Sequence, residues 1–201
     1  MPLRNRVLPT GQIVADPARG TLTGNRGILV DRDGRMTNRQ WALKAWITCV
    51  LEFRGRRRPV AQPRTWTELF FLDEAVAFSA GHRPCAYCRR ADYNQFKAHW
   101  GGLKAGEMDQ ILHGERLNGR EKRLHSVRLQ DMPDGAFVLQ DERPMLVMGD
   151  ALLPYTPNGY RPPKPRMDGP AEALTPPSLI EILRHGYRPK LHLTAAPAPL
   201  G

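Results

Sequence analysis

The sequence has no long apolar run and few cysteines. No stretch of its 201 residues approaches the length that an α-helix needs to cross a bilayer. The first residues, MPLRNRVLPTG, do not contain the apolar core of a secretory signal peptide. Three cysteines, an odd number, do not make a disulfide framework. These absences predict a cytoplasmic protein with reduced thiols and no membrane partner.

Acidic residues are scarce relative to basic ones. The chain has 30 Lys and Arg against 20 Asp and Glu, a net charge of +10. Residues 1–60 hold 12 basic and 4 acidic side chains, a balance of +8, and the density is highest in RGRRR at 54–58. A concentrated basic surface is typical of proteins that bind phosphate-bearing partners, so we expect nucleic acid. The alternative is a solvated basic surface without a specific ligand.

The pattern of apolar residues predicts an α+β fold, and the chain is long enough to bury its own core. WITCVLEF at 46–53 is rich in β-branched and aromatic residues and predicts a strand, with a second strand near 67–72. The basic cluster at 54–58 lies between them, in a hairpin-like loop. Asp73 is a suitable N-cap for a helix over 74–80 that Gly81 ends.

Further along, the chain alternates between regular elements and breaks. Helices are predicted over 91–100 and near 107–117, and residues 124–153 have the pattern of a β-meander. We expect a main domain over 1–153 and a Pro/Gly-rich connector over 154–177. A C-terminal helix and extension over 178–193 should pack back on the main domain, followed by a flexible tail at 194–201.

Pro84-Cys85-Ala86-Tyr87-Cys88, at the start of a predicted helix, indicates a metal site. Two thiols separated by two residues can chelate one ion, and Zn²⁺ is the usual occupant in a reducing compartment. Cys49 is the remaining thiol; it is either a third ligand or a core residue of its otherwise apolar strand face. His82 lies on the turn before Cys85 and is either a further ligand or a surface histidine.

The stretch ELFFLDEAVAFSAGHRPCAYCRR, about residues 67–90, resembles the metal-binding domain of Ada, the bacterial methylphosphotriester-DNA repair protein. In that family, a strand and an alanine-rich helix lead through Gly-aromatic-Arg-Pro into Cys-x-x-Cys at the head of a helix. The family has two further cysteines upstream, and Cys49 is the one thiol in a comparable place here. The resemblance implies a small treble-clef-like zinc unit associated with DNA or RNA.

Together these patterns predict a zinc-binding protein that presents a basic surface to nucleic acid, with DNA favoured over RNA. The arginines expected to contact phosphates flank the predicted site; they are Arg54, Arg56, Arg57, Arg58, Arg83, Arg89 and Arg90. Trp46, Trp66 and Tyr87 are candidates for stacking on bases. The alternatives are a metal-dependent hydrolase or nuclease with an incompletely ligated zinc, and a protein-interaction module with structural zinc.

Overall fold

The computed structural model describes residues 2–57, 59–60 and 62–195. Within them the chain forms two large sheets, two short hairpins and four α-helices, so the predicted α+β class is confirmed. None of these helices is long and apolar enough to span a membrane.

The first half of the chain builds a six-stranded mixed sheet. The strands of this half are β1 (Arg4–Val7), β2 (Ile13–Ala15), β3 (Leu22–Asn25), β4 (Ile47–Val50), β5 (Glu52–Phe53), β6 (Arg56–Arg57), β7 (Leu69–Phe71) and β8 (Arg83–Pro84). The sheet has the order β2-β1-β7-β3-β4-β8, with β1–β7 and β4–β8 parallel. Strands β5 and β6 form a separate hairpin.

The second half builds a larger sheet. Its strands are β9 (Leu117–Asn118), β10 (Glu121–Lys122), β11 (His125–Arg128), β12 (Phe137–Gln140), β13 (Arg143–Met148), β14 (Ala151–Thr156), β15 (Gly159–Tyr160), β16 (Lys164–Pro165) and β17 (Pro170–Ala173). The order is β11-β17-β12-β13-β14-β15, with β16 pairing to β14, while β9 and β10 form their own hairpin.

Four α-helices and two 3₁₀ turns complete the fold. The helices are α1 (Glu74–Ser79), α2 (Arg90–Ala98), α3 (Ala105–Arg116) and α4 (Pro177–Arg184), and the 3₁₀ turns are Leu129–Asp131 and Leu193–Ala195. Asp73 caps α1 as predicted, because its carboxylate accepts a hydrogen bond from the Val76 backbone N–H. Every residue of α1 is buried, which places this helix inside the molecule.

The second sheet is buried on both faces, and α1 contributes to the core on each side. Val138 and Met145 belong to the apolar cluster that contains side chains of α2, α3 and α4. Their neighbours Phe137 and Leu146 belong to the cluster that contains β1, β3 and β7. Since successive side chains of a strand point to opposite faces, β12 and β13 lie between the helices and the first sheet.

The predicted connector over 154–177 is wrong, because this stretch is part of the second sheet. Residues 170–173 form β17, which pairs with both β11 and β12 and so lies inside the sheet. The predicted meander therefore holds for β12, β13 and β14 but not for β11. The prolines are accommodated because Pro170 is the first residue of its strand and Pro165 lies on a short strand at the margin. Of the predicted tail, Thr194 and Ala195 belong to a 3₁₀ turn, and 196–201 lie outside the described residues.

Two arginines predicted to contact nucleic acid are buried in ion pairs, and this part of the prediction is wrong. The Arg89 guanidinium, 1% exposed, lies 2.5 Å from Glu74 and 2.7 Å from Asp92. Arg83 donates to both carboxylate oxygens of Asp109, at 2.8 Å each. The sequence alone does not show these ion pairs, because the partners are distant along the chain. Glu74 lies 15 residues from Arg89, and Asp109 lies 26 residues from Arg83.

We predict that Arg89→Met destabilises the fold by about 3 kcal/mol or more, because it leaves Glu74 buried without its cation. Arg90→Met is the matched control, since Arg90 is adjacent in sequence but exposed, and it should change stability by less than about 0.5 kcal/mol. Urea unfolding, with metal content measured in parallel, checks this. Equal stability of the two variants would show that the Glu74 pair is not structural.

Candidate metal centre

The three cysteines of the chain come together at one point. Cys49 lies on β4, Cys85 directly follows β8, and Cys88 lies just before α2. Their Sγ atoms are all within 4.8 Å of one another. The structure therefore brings together the three thiols that the sequence singled out, including the upstream Cys49.

Parallel pairing of β4 with β8 produces this convergence. Thr48 pairs with Pro84, and the Cys85 backbone N–H donates to the Thr48 carbonyl at 2.9 Å. Cys49 and Cys85 each follow one residue of that pair, so they lie at the same level along the two neighbouring strands. The chain then turns into the head of α2, where the Arg89 N–H donates to the Cys85 carbonyl at 3.1 Å and brings Cys88 back toward Cys85.

The thiols perturb each other strongly. Hydrogen bonds from the Cys49 and Cys88 thiols lower the pKa of the Cys85 thiol, and the Tyr87 backbone N–H, 3.4 Å from the Cys85 sulfur, acts in the same direction. Hydrogen bonding to Cys85 and Cys88, together with burial, raises the pKa of the Cys49 thiol. Three thiolates this close would repel one another, so a cation among them would favour the loss of all three thiol protons.

The donor set fits Zn²⁺. Zn–S bonds of about 2.3 Å in a tetrahedral arrangement separate the sulfurs by about 3.8 Å, which the three thiols satisfy with small adjustments. Thiolates also select soft and borderline metals over Mg²⁺ or Ca²⁺. Among the described residues, no His, Asp or Glu joins this group as a fourth ligand.

The prediction that His82 coordinates the metal is wrong. Its ring is fully buried, with centroids 4.7 Å from Phe71 and 5.1 Å from Trp46, and its Nε2 accepts a hydrogen bond from Arg26. Spacing alone placed His82 near Cys85, but β8 is extended. The residue before Arg83 therefore points into the core instead of toward the thiols.

The thiols line a pocket of about 570 Å³ that an arginine-rich hairpin also lines. Arg54, Arg56 and Arg57 are exposed on the β5–β6 hairpin and contribute to this lining. Arg57 pairs with Glu52 at 3.0 Å, on the surface. The predicted basic contact at Arg58 lies outside the described residues.

Aromatic rings surround the same pocket. Phe53 and Tyr87 make an edge-to-face contact at 5.1 Å, and the Arg54 guanidinium lies 5.3 Å and 5.9 Å from their ring centroids. Tyr87 is 62% exposed, so its ring is free to contact a ligand, and the partly exposed Trp66 also lines the pocket. Trp46, in contrast, is 2% exposed, and its predicted role in base stacking is wrong.

The tight turn of this hairpin was missed at the sequence level. Arg54 and Gly55 both have positive φ, 53° and 73°, which is the geometry of a two-residue type I′ turn. Glycine after a polar residue, directly behind the β-rich run WITCVLEF at 46–53, is the signal that could have indicated this turn. The turn folds the arginines back along Glu52 and Phe53, and so toward the cysteines.

No protein-family model, curated protein or solved structure matches this chain. The resemblance of residues 67–90 to the Ada metal-binding domain therefore stays a prediction. The three-thiol cluster is an observation of the structure and does not depend on that resemblance.

We predict that the purified protein binds about one Zn²⁺ per chain and that Cys49→Ser, Cys85→Ser and Cys88→Ser each lose it, because each removes one of three thiolates. Metal analysis and a thiolate-to-cobalt absorption band after Co²⁺ substitution measure this. Tyr87→Phe, within the same loop, is the control and should retain the metal. Full zinc content in Cys49→Ser would show that Cys49 is a packing residue.

Proposed function

We propose that this protein binds Zn²⁺ through Cys49, Cys85 and Cys88 and uses the neighbouring hairpin to bind nucleic acid. The observation that carries the proposal is that one pocket is lined by the three thiols and by three exposed arginines. A metal site by itself suggests only a structural role. The shared pocket links the metal site to a surface that suits phosphate groups.

The order of elements supports a treble-clef-like unit. An upstream cysteine on β4 is followed by the β5–β6 hairpin, and Cys-x-x-Cys then opens α2. When bound, Zn²⁺ would tie the end of β4 to the head of α2. Only two residues separate Cys49 from the hairpin, so the hairpin would be held beside the metal. The resemblance of residues 67–90 to the Ada domain agrees with this arrangement.

The aromatic rim favours unpaired bases over an intact duplex. Tyr87 offers an exposed ring face beside Phe53, and Arg54 supplies a cation next to both. Aromatic and guanidinium groups that alternate along a basic pocket are typical of single-strand binding, where bases stack and arginines contact the backbone. We therefore propose single-stranded nucleic acid, DNA in the first instance, as the ligand.

We predict that changing Arg54, Arg56 and Arg57 together to Gln lowers affinity for a single-stranded DNA oligonucleotide by about tenfold or more. Each lost phosphate contact should flatten the dependence of log K on log salt by about 0.7. Fluorescence anisotropy at several salt concentrations measures both quantities. Zinc content should stay unchanged, because none of the three arginines is a ligand.

The matched control carries the same charge change on or beside the second sheet, at the exposed residues Arg143, Arg161 and Lys164. This variant should bind much as the unaltered protein does. Equal losses from both sets would indicate diffuse electrostatic attraction without a defined site. Absence of any binding at low salt would overturn the nucleic-acid proposal and favour a protein partner.

A second candidate function is a metal-dependent hydrolase. The observation in its favour is the number of metal ligands that the described residues supply, which is three. Zinc with three protein ligands and one accessible position is the coordination of catalytic sites, whereas structural sites usually have four. The described residues supply three thiols that face a pocket large enough for a small substrate. A bound zinc would supply Lewis-acid chemistry at that open position.

Cleavage assays distinguish the two candidates. If the protein is a hydrolase, the zinc-loaded form cleaves a labelled oligonucleotide, and Cys49→Ser abolishes cleavage because it loses the metal. If the metal is structural, the oligonucleotide is bound but remains intact over long incubation. The second result, which we expect from the primary proposal, would remove the hydrolase candidate for nucleic-acid substrates.

A further inference from the structure

A second pocket, of about 710 Å³, shares none of its lining residues with the thiol pocket. Four cationic side chains line it. Arg120 is exposed, and the other three are buried or partly buried: Arg26 from the loop after β3, Arg116 from the end of α3, and Lys122 from β10. Arg26 and Arg116 are each only 1% exposed, and Lys122 is partly buried. Clusters of buried cations are rare in proteins unless something neutralises them.

Within the described part of the chain, no carboxylate forms an ion pair with these three cations. Their hydrogen bonds go to neutral acceptors instead. Arg26 donates to the Gly11 carbonyl at 2.9 Å, Arg116 to the Gly81 carbonyl at 2.8 Å, and Lys122 to the Ser79 carbonyl. The acidic residue of the lining, Glu121, is exposed at the surface.

Both guanidinium groups lie over the buried ring of Trp46, each with its Cζ atom 3.8 Å from the ring. The indole N–H of Trp46 donates to the Leu43 carbonyl, which fixes the ring. This packing holds the two guanidiniums in place before any ligand arrives. Pre-arranged donors lower the cost of ordering a binding site.

The pocket also concentrates unsatisfied polar atoms. In the described residues, five buried side-chain nitrogen or oxygen atoms have no hydrogen-bond partner. Three of them, Arg26 Nη2, Arg116 Nε and Thr10 Oγ1, belong to residues that line this pocket. A fourth, His82 Nδ1, belongs to the ring that accepts a hydrogen bond from Arg26. Unpaired buried donors cost about 1–3 kcal/mol each, so their concentration at one place indicates an absent acceptor.

Burial and repulsion between neighbouring cations lower the pKa values of cationic side chains in this pocket. Burial, followed by the charges of Arg26 and Arg116, lowers the pKa of Lys122 to about 7. Burial also lowers the pKa of Arg116 to about 9. A bound anion would reverse both effects by restoring a counter-charge.

We propose that this pocket binds a phosphate-bearing small molecule, with its phosphate group between Arg26, Arg116 and Lys122. A phosphate presents acceptor oxygens in several directions and a charge near −2, which matches two guanidinium donors and an ammonium. The pocket volume leaves room for more than a single phosphate, and the partly exposed Trp41 offers an apolar surface beside it. The inference does not depend on the zinc site or on nucleic-acid binding.

Lys122→Met is the test variant, because Lys122 is partly buried and its ammonium makes a single hydrogen bond to the residues that the structure describes, to the Ser79 carbonyl. Lys97→Met removes the same charge from the exposed side of α2 and is the control. Calorimetry with pyrophosphate, in chloride buffer of constant ionic strength, should give saturable binding near one site per chain for the unaltered protein and for Lys97→Met. Lys122→Met should bind at least about tenfold more weakly, with its zinc content unchanged.

Thermal unfolding supplies a second readout. Saturating pyrophosphate should raise the melting temperature of the unaltered protein by roughly 5 °C, and that of Lys122→Met by clearly less. Arg120→Gln, an exposed change on the pocket lining, should weaken binding while preserving the fold and keeps the test informative if Lys122→Met unfolds.

Comparison of inorganic phosphate, pyrophosphate and ADP identifies the source of the phosphate group. If ADP binds most tightly, the ligand is a nucleotide. If all three bind with equal affinity, the pocket recognises the phosphate group alone. Both results support the proposed site. Binding no stronger than that of chloride, or equal binding by Lys122→Met and the unaltered protein, would overturn the proposal. Displacement of pyrophosphate by an oligonucleotide at lower concentration than ADP would overturn the assignment to a small molecule.

Discussion

One buried carboxylate, Glu74, joins three parts of the chain that are distant in sequence. Its oxygens accept hydrogen bonds from Arg89, the Tyr187 hydroxyl and the Lys190 backbone N–H. An unpartnered buried charge costs several kcal/mol, so α1, the head of α2 and the C-terminal segment are held to one arrangement. Arg89 directly follows Cys88. The geometry of the thiol cluster therefore depends on an ion pair whose own side chains are not part of that cluster.

The turn between α1 and β8 connects the thiol cluster to the cationic pocket. Gly81 has a φ of +85°, and a Cβ at this position would lie 2.5 Å from the side chain of Arg116. Only glycine therefore allows Arg116 to approach the turn and donate to the Gly81 carbonyl. Four residues later Cys85 lines the thiol pocket. A short extended segment thus borders two sites of opposite chemistry, one of thiols and one of cations.

The sequence predicted those features that depend on neighbouring residues. Asp73 caps α1 because capping requires only the next three residues, and Cys85 and Cys88 approach each other because a helix start brings them together. Prolines and glycines over 154–177 suggested a connector, yet this stretch contains an internal strand. The composition of a segment indicates only its own conformational preference. Strand β17 forms because it makes hydrogen bonds to two strands that are distant in sequence, and composition does not show these.

By itself the sequence determined the α+β class, the Cys-x-x-Cys pair and the basic cluster at 54–58, since these follow from local pattern and composition. Tertiary structure decided which basic residues are available. Arg83 and Arg89 are buried against acids, while Arg54, Arg56 and Arg57 remain at the surface. Tertiary structure also placed Cys49 beside Cys85 and Cys88. It brought Arg26, Arg116 and Lys122 together around one pocket. The physical reason is that burial and charge pairing arise from contacts between distant segments, which no local pattern encodes.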